Sequence, residues 1–166
     1  MAMKMILKII IIITVVLTNS HGSENNLTQV YTLIDSAKYY TKQLQFDQAI
    51  SAYQKVSIIL KENENQHYQL LADIYRKTGK VYRTIKKDDL FLQSILLSSE
   101  ILKKNLGDEH QKVAESYNNI GTAYFEIGEY EKALDYYEKT LIVEFKQDTP
   151  KVNICYNNIG TTYTWT

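Results

Sequence analysis

Two amphipathic helical patterns separated by a glycine turn, between Ala114 and Asp135, constrain the fold of this chain more than any other feature. The first has apolar or small residues at the i, i+3, i+4, i+7 spacing of one helical face, at Ala114, Tyr117, Ile120, Gly121 and Tyr124. Gly128 then supplies a residue that readily adopts the positive φ at which many helices end. The second face has Tyr130, Ala133, Leu134, Tyr137 and Leu141. The segment is therefore predicted to be a helical hairpin.

The same pattern recurs along the chain. A step of 42 residues towards the N-terminus places Gly121 on Gly79, and a second step of that length reaches Ala37. In the other direction, YNNIGTAY at 117–124 recurs 39 residues later as YNNIGTTY at 156–163. A fixed period of this size indicates stacked units, none of which can bury its apolar face alone. The predicted units are 30–71, 72–113, 114–152 and a partial unit at 153–166.

The repeated residues resemble those of a known family. A small residue, an aromatic, a glycine, an aromatic, an alanine and another aromatic at these offsets resemble the tetratricopeptide repeat, in the 42-residue variety of kinesin light chains. The unit at 72–113 diverges, because Phe91 replaces the expected small residue and Lys86 replaces the turn glycine. The resemblance implies an all-α, right-handed superhelical solenoid of three complete hairpins and one further first helix. It also implies a scaffold or adaptor that acts through protein–protein interaction.

The N-terminus resembles a secretory signal peptide over residues 1–22. Met1–Lys8 carries two lysines, and an apolar run from Ile9 to Leu17 follows before polar residues begin. That run is shorter than the roughly 20 apolar residues of a membrane span. We therefore expect export to a secreted or periplasmic location and no stable membrane span after cleavage. An uncleaved segment would instead anchor the chain to the membrane. A short polar lead-in is predicted over 23–29.

Charge and motifs give no indication of nucleic acid binding or of catalysis. The formal net charge is zero, and without the first 22 residues the chain keeps 17 basic and 19 acidic residues. Three scattered histidines match no zinc, phosphate-loop or triad motif. We expect no enzymatic activity, no metal, no nucleotide and no other cofactor. His110 is expected to have a structural or solvated role, and Cys155, the only cysteine, to be a buried thiol rather than a reactive one.

The repeated tyrosines are interpreted as core residues rather than as a ligand platform. Periodic aromatic residues on one helical face are mainly a signal of the core. The residues concerned are Tyr75, Tyr82, Tyr117, Tyr124, Tyr156 and Tyr163.

A binding surface is implied by the resemblance, on the exposed positions of the first helix of each unit. The predicted groove residues are Lys38, Lys42, Arg76, Lys80, Arg83, Asn118, Asn119, Thr122, Asn157 and Asn158. Basic side chains suit carboxylates, and asparagine both donates to and accepts from an extended peptide backbone. We therefore expect another protein or a peptide segment as the partner, with an acidic group near the basic end. The alternative is that these lysines and arginines are simply solvated.

The last unit is predicted to contain a first helix without a second one. A lone amphipathic helix there would leave Tyr156, Ile159 and Tyr163 with one flank open to water. Either the sequence is the exported sensor portion of a larger signalling or enzymatic protein, or another chain covers that flank. Self-association through this helix is one such arrangement.

Overall fold

The computed structural model describes residues 26–146 and 152–164, which form seven helices and contain no strand. Helix α1 covers 26–42. The helices that follow are α2 (Phe46–Lys61), α3 (Glu64–Thr84), α4 (Asp88–Leu106), α5 (Gln111–Glu126), α6 (Tyr130–Glu144) and α7 (Val152–Tyr163). Within these ranges, no helix has both the length and the apolar character to cross a bilayer. The predicted signal peptide at 1–22 lies outside the described residues.

The helices pair in chain order. Helices α1 and α2, α3 and α4, and α5 and α6 form hairpins, and α7 is the first helix of a further unit. From α2 to α7, consecutive helices pack on each other, and α7 also contacts α5. Helix α1 adds Val30, Ile34 and Ala37 to the same hydrophobic core. The predicted all-α solenoid of stacked hairpins is confirmed.

The three hairpin turns have the same backbone conformation and lie 42 residues apart. The turn residue has a positive φ in each, with 59° at Leu44, 57° at Lys86 and 85° at Gly128. The next backbone N–H donates to the carbonyl five residues earlier, in the pairs Gln45–Tyr40 (2.9 Å), Lys87–Tyr82 (3.0 Å) and Glu129–Tyr124 (2.9 Å). These bonds are those of a Schellman motif. The backbone therefore repeats even where the turn residue is not glycine.

Close approach inside the hairpins depends on small residues. A Cβ atom at Gly121 would lie 2.5 Å from the ring of Tyr137, and one at Gly79 would lie 3.2 Å from Ile95 and Ser94 of α4. In the divergent second hairpin, Phe91 is buried and the Arg83 guanidinium lies 5.9 Å from the centre of its ring. The second hairpin thus keeps the same arrangement as the others despite its larger side chain.

Two boundaries differ from the sequence prediction. Residues 26–29 of the polar lead-in predicted over 23–29 already belong to α1, and the lead-in itself stays a prediction. Helices α3 and α5 begin before the repeat boundaries at 72 and 114. The boundaries were set by matching equivalent residues of the repeats, and this matching does not locate the ends of helices. In α3 the early start includes a bend, since His67 has a non-helical φ of −118°. The repeat units themselves stay a prediction.

The tyrosine interpretation is confirmed for the units at 72–113 and 114–152 and wrong for the last. Those that belong to the core or pack against it are Tyr75, Tyr82, Tyr117 and Tyr124. Tyr156 and Tyr163 are 51% and 61% exposed. They are exposed because no second helix covers that flank of α7 in the described part of the chain.

Candidate functional site

Three pockets lie in a row along the face formed by α1, α3, α5 and α7. One pocket lies between α1 and α3 with α2 beneath it, the next between α3 and α5 over α4, and the third between α5 and α7 over α6. We call this row of pockets the groove. Each pocket exists because two first helices are held apart by the second helix between them.

The pocket between α1 and α3 is basic. Its volume is about 310 Å³, and its walls are Lys38, Thr41, Lys42, Lys77, Lys80 and Thr84. Tyr53 of α2 and Val81 of α3 give it an apolar floor. Burial is the main cause of the raised pKa of Tyr53, so this phenol stays neutral. The pocket therefore combines ammonium groups at its rim with an apolar surface beneath.

The four lysines of this pocket differ in their ion pairs. Lys38 donates to Asp35 at 2.9 Å, and this hydrogen bond raises the pKa of Lys38. Lys77 donates to Asp73 at 2.6 Å. Lys42 and Lys80 are exposed and form no ion pair with any described residue. These two ammonium groups are the ones open to an anionic ligand.

In the pocket between α3 and α5, Asp73 forms ion pairs with two basic residues. Its carboxylate accepts hydrogen bonds from Arg76 and Lys77 on the same helix. Burial acts to raise the pKa of Asp73, but these hydrogen bonds outweigh it and the pKa is lowered. Arg76 is therefore largely neutralised by its neighbour. Glu115 and Asn119 of α5 face it across the pocket.

An amide pair joins α5 to α7 in the third pocket. Asn158 Nδ2 donates to Asn118 Oδ1 at 2.9 Å. Because a side-chain amide has two donor hydrogens and an acceptor oxygen, Asn118 keeps its N–H groups and Asn158 keeps its oxygen. The pair thus presents a donor and an acceptor, the two functions that a peptide group requires. Asn119 lies beside it, and Asn157 is exposed.

A buried carboxyl group and a buried thiol lie at the base of the third pocket. Glu144 is 2% exposed and accepts a hydrogen bond from Gln111 Nε2 at 2.6 Å. Burial, with a smaller contribution from Glu144, raises the pKa of Cys155. The thiol is therefore protonated at neutral pH, which confirms the prediction of a buried structural cysteine.

His110 is the N-cap residue of α5. Its Nδ1 accepts a hydrogen bond from the backbone N–H of Lys112 at 3.1 Å. This cap satisfies one of the unpaired N–H groups at the start of the helix, which confirms the predicted structural role. Among the residues that the structure describes, no cluster of His, Cys, Asp and Glu has the composition of a metal site.

Comparison with known families decides which repeat this is. The sequence profile described as "Tetratricopeptide repeat" matches residues 94–141, from within α4 to within α6. This part of the chain is a tetratricopeptide repeat. Such a fold indicates a scaffold for protein–protein interaction, and tetratricopeptide repeats are typically non-catalytic. No curated protein matches the chain.

Solved structures share the fold at low identity. BtubC (BKLC) from P. vanneervenii is 19% identical with a TM-score of 0.66, over 78% of this chain and 53% of that one. A putative kinesin light chain from Podosopora anserina, with nearly identical TPR-like repeats, is 15% identical with a TM-score of 0.65, over 82% of this chain and 66% of that one. The first TPR of Spaghetti (RPAP3), bound to the HSP90 peptide SRMEEVD, is 19% identical with a TM-score of 0.57, over 82% and 92%. These identities show the fold alone, and this chain spans only about half of BtubC.

The tetratricopeptide arrangement brings most of the predicted groove residues into two sets. The pocket between α1 and α3 contains Lys38, Lys42 and Lys80. The pocket between α5 and α7 contains Arg76, Asn118 and Asn119, and Asn158 is bonded to it. Four predicted residues line none of the three pockets, namely Arg83, Thr122, Asn157 and Asn158. Arg83 donates to Glu126 at 2.9 Å, and Thr122 accepts from the Tyr137 hydroxyl at 3.4 Å.

Tyr53 and Glu144 are among the groove residues that were not predicted. Tyr53 forms the floor of the basic pocket. Glu144 gave no sequence signal, because a glutamate near a helix C-terminus is usually solvated. Its burial follows from Gln111, which begins α5 and reaches it from a different helix.

Proposed function

We propose that this protein is an exported scaffold that binds an extended segment of another protein along the groove, with an acidic group over the pocket between α1 and α3. The supporting observation is that Lys42 and Lys80 line one pocket and form no ion pair with a described residue. Two ammonium groups of like charge side by side favour an anion between them. The peptide in the similar Spaghetti structure is itself acidic, as its sequence SRMEEVD shows.

The rest of the groove suits the backbone of such a segment. The Asn118–Asn158 pair offers a donor and an acceptor, and neither group carries a charge that would select one side chain. Specificity in this proposal therefore comes from the basic pocket, and the amide pair fixes the extended conformation. Because first helices line all three pockets, one segment would cross α3 and α5 between these two anchoring points.

Charge reversal in the basic pocket tests this proposal. The probe is a fluorescein-labelled hexaglutamate peptide, with hexalysine of the same length for comparison, titrated at low salt and followed by fluorescence anisotropy. We expect hexaglutamate to bind and Lys80→Glu to weaken it by about tenfold or more, as loss of a charged hydrogen bond predicts. High salt should reduce the difference, because exposed charges are screened.

Lys55→Glu is the matched control, since Lys55 is exposed on α2 and does not line the basic pocket. It makes the same change in net charge and should alter the affinity by less than about twofold. Equal losses for Lys55→Glu and Lys80→Glu would show that only net charge matters. Equal binding of hexalysine and hexaglutamate would refute the acidic ligand altogether.

A second candidate is that these repeats are the exported sensor portion of a larger signalling or enzymatic protein. The open flank of α7, with its exposed Tyr156 and Tyr163, favours this alternative. The gene sequence past Thr166 tests it. A further helix with the EY-x-x-A pattern, followed by a membrane span or an enzymatic domain, would support the sensor. A stop codon directly after Thr166 would support the self-contained scaffold.

Export itself is part of the proposal and rests on the pattern of residues 1–22. N-terminal sequencing of the protein recovered outside the cytoplasm tests it. A first residue between 21 and 23 is expected after cleavage, whereas an intact Met1 in the membrane fraction would indicate an anchor. The absence of enzymatic activity is proposed on the same footing, since no described cluster offers a nucleophile with an adjacent base. Self-association through the exposed flank of α7 stays a prediction.

A further inference from the structure

The cap on α5 depends on the protonation state of His110. The ring nitrogen Nδ1 lies 3.1 Å from the backbone nitrogen of Lys112, and in this bond the backbone N–H is the donor. Nδ1 is therefore an acceptor without a hydrogen, and the imidazole is the neutral tautomer that carries its hydrogen on Nε2. A protonated imidazole has a hydrogen on both nitrogens, so it cannot form this cap.

The place of His110 at the start of a helix adds to this effect. The unpaired backbone N–H groups there give the end of α5 a partial positive charge. The first turn of α5 contains no acidic side chain to offset that charge. Protonation of His110 therefore removes an acceptor and also places a cation at the positive end of the helix.

The charged groups around His110 are bonded to other residues. Asp108, two residues earlier, forms an ion pair with Lys103 of α4 at 2.9 Å. Glu109 forms an ion pair with Lys146, which follows α6. Each of these two carboxylates thus already has a cationic partner other than the imidazole. Three further titratable side chains are hydrogen-bonded at this end of α5, namely Lys112, Tyr117 and Glu144.

The first turn of α5 carries two side chains that connect it to other helices. Gln111 Nε2 donates to Glu144 of α6 at 2.6 Å. Lys112 Nζ donates to Gln69 of α3 at 2.6 Å, and both of these residues line the pocket between α3 and α5. When the first turn of a helix unwinds, its side chains leave their helical positions and such bonds are lost. The cap on α5 therefore supports one wall of that pocket.

We propose that His110 is a pH-sensitive cap, and that protonation of its imidazole releases the first turn of α5 and loosens the pocket between α3 and α5. Histidine changes its charge between roughly pH 5 and pH 8. At the low end of this range the unfolded chain binds the proton that the capped helix excludes. The cap therefore stabilises the protein at the high end, and this stabilisation is lost as the pH falls.

The test compares the unsubstituted chain with His110→Asn, because an asparagine oxygen caps a helix without titrating. Urea unfolding is followed by circular dichroism at about pH 8 and about pH 5. On going to the lower pH, we expect the unfolding equilibrium constant of the unsubstituted chain to rise about fivefold more than that of His110→Asn. His110→Ala, which has no cap at either pH, should be about fivefold less stable than His110→Asn at both.

His67→Asn is the matched control. It also removes one histidine, but His67 lies in the bend of α3 and does not cap α5. This variant should keep the full pH dependence of the unsubstituted chain. Equal pH dependence in His110→Asn and the unsubstituted chain overturns the proposal. Loss of the pH dependence in His67→Asn overturns it as well, because a different histidine would then be the titrating group.

Amide hydrogen exchange at Lys112 measures the cap directly, since this N–H is the one bonded to the imidazole. Its protection factor, which corrects for the intrinsic effect of pH on exchange, should fall about fivefold at the lower pH in the unsubstituted chain and stay constant in His110→Asn. A constant protection factor in both would refute the proposal. Residues of α1, α2 and α3 line the basic pocket, so hexaglutamate binding at high pH should be the same in both proteins. The two proposals can therefore fail independently.

Discussion

The ring of Tyr137 lies where a side chain on Gly121 would otherwise be, with Cε1 2.5 Å from the ideal Cβ position. This contact sets the closest approach of α5 and α6. Gly160 holds the equivalent place in α7 and has open space around it in the described structure. Two glycines in the same repeat position therefore differ, because a side chain has no room at Gly121 and has room at Gly160.

Substituting each glycine by alanine should change stability in opposite directions. Gly121→Ala should lower the free energy of unfolding by about 1–3 kcal/mol, because the methyl group displaces a buried ring. Gly160→Ala should raise it by up to about 1 kcal/mol, because alanine is the better helix former and meets no neighbour. Urea denaturation followed by circular dichroism measures both. Stabilisation by Gly121→Ala would contradict the close packing of the third hairpin.

Glycine at the positive-φ turn positions should stabilise the protein. A non-glycine residue in the left-handed region is destabilised by about 1–2 kcal/mol, and glycine relieves this at a smaller entropic cost. Leu44→Gly and Lys86→Gly should each raise the free energy of unfolding by roughly 0.5–1 kcal/mol. Leu44 is 72% exposed, so little buried surface is lost with its side chain. The shift in thermal unfolding midpoint measures the gain.

The control for these turn variants lies one residue further on. Lys87 has a φ of −98°, which a lysine adopts without strain. Lys87→Gly should therefore leave stability unchanged or lower it. Gly128→Ala, the reverse change at the third turn, should be destabilising. If Lys86→Gly and Lys87→Gly had the same effect, the turn conformation would not be the source of strain.

The third prediction concerns pH and Asp73. Burial acts to raise its pKa, but the hydrogen bonds from Lys77 and Arg76 lower it below the ordinary value of 3.8. The folded state therefore favours the carboxylate. This stabilisation is complete above pH 3.8 and is lost as the pH falls through the lowered pKa of the folded state. Since the pair is partly exposed, its contribution should be less than about 1 kcal/mol.

Asp73→Asn should consequently lower the free energy of unfolding at pH 7, and the difference from the unsubstituted chain should vanish at low pH. Glu138→Gln, a neutralisation on the exposed side of α6, serves as the control and should show no such trend. Because Arg76 and Lys77 lose their shared acceptor, Asp73→Asn should also strengthen hexaglutamate binding. A difference that stays constant with pH would mean that packing, and not charge, explains the effect.

The sequence predicted the repeat well because its signal is periodic. The spacing of Gly79, Gly121 and the tyrosines placed the hairpins in order, and the turns at Leu44, Lys86 and Gly128 follow the same 42-residue interval. The sequence did not predict that leucine and lysine would adopt a positive φ. Local propensity argues against it, and only the packing of both helices imposes it.

The sequence does not show how the charged residues of the predicted groove are paired. The sequence places Lys38, Arg76 and Lys80 on exposed faces, but it does not show which of them are paired. Asp73 binds Arg76 within one helix, a pairing that the three-residue spacing allows but does not require. Arg83 binds Glu126, 43 residues away on another helix, and only the fold brings that pair together. The basic end of the groove is therefore smaller than the count of basic residues suggests.

Contacts in this protein join mainly helices that are neighbours in the chain. Each helix thus depends on the next for its burial, and cooperative units of this kind open from a terminus inwards. Hydrogen exchange in α7 should accordingly be faster than in α4, which is enclosed on both sides. A partner that contacts two adjacent first helices would link segments that otherwise unfold separately. Tighter binding of the ligand and higher stability of the stacked helices would then go together.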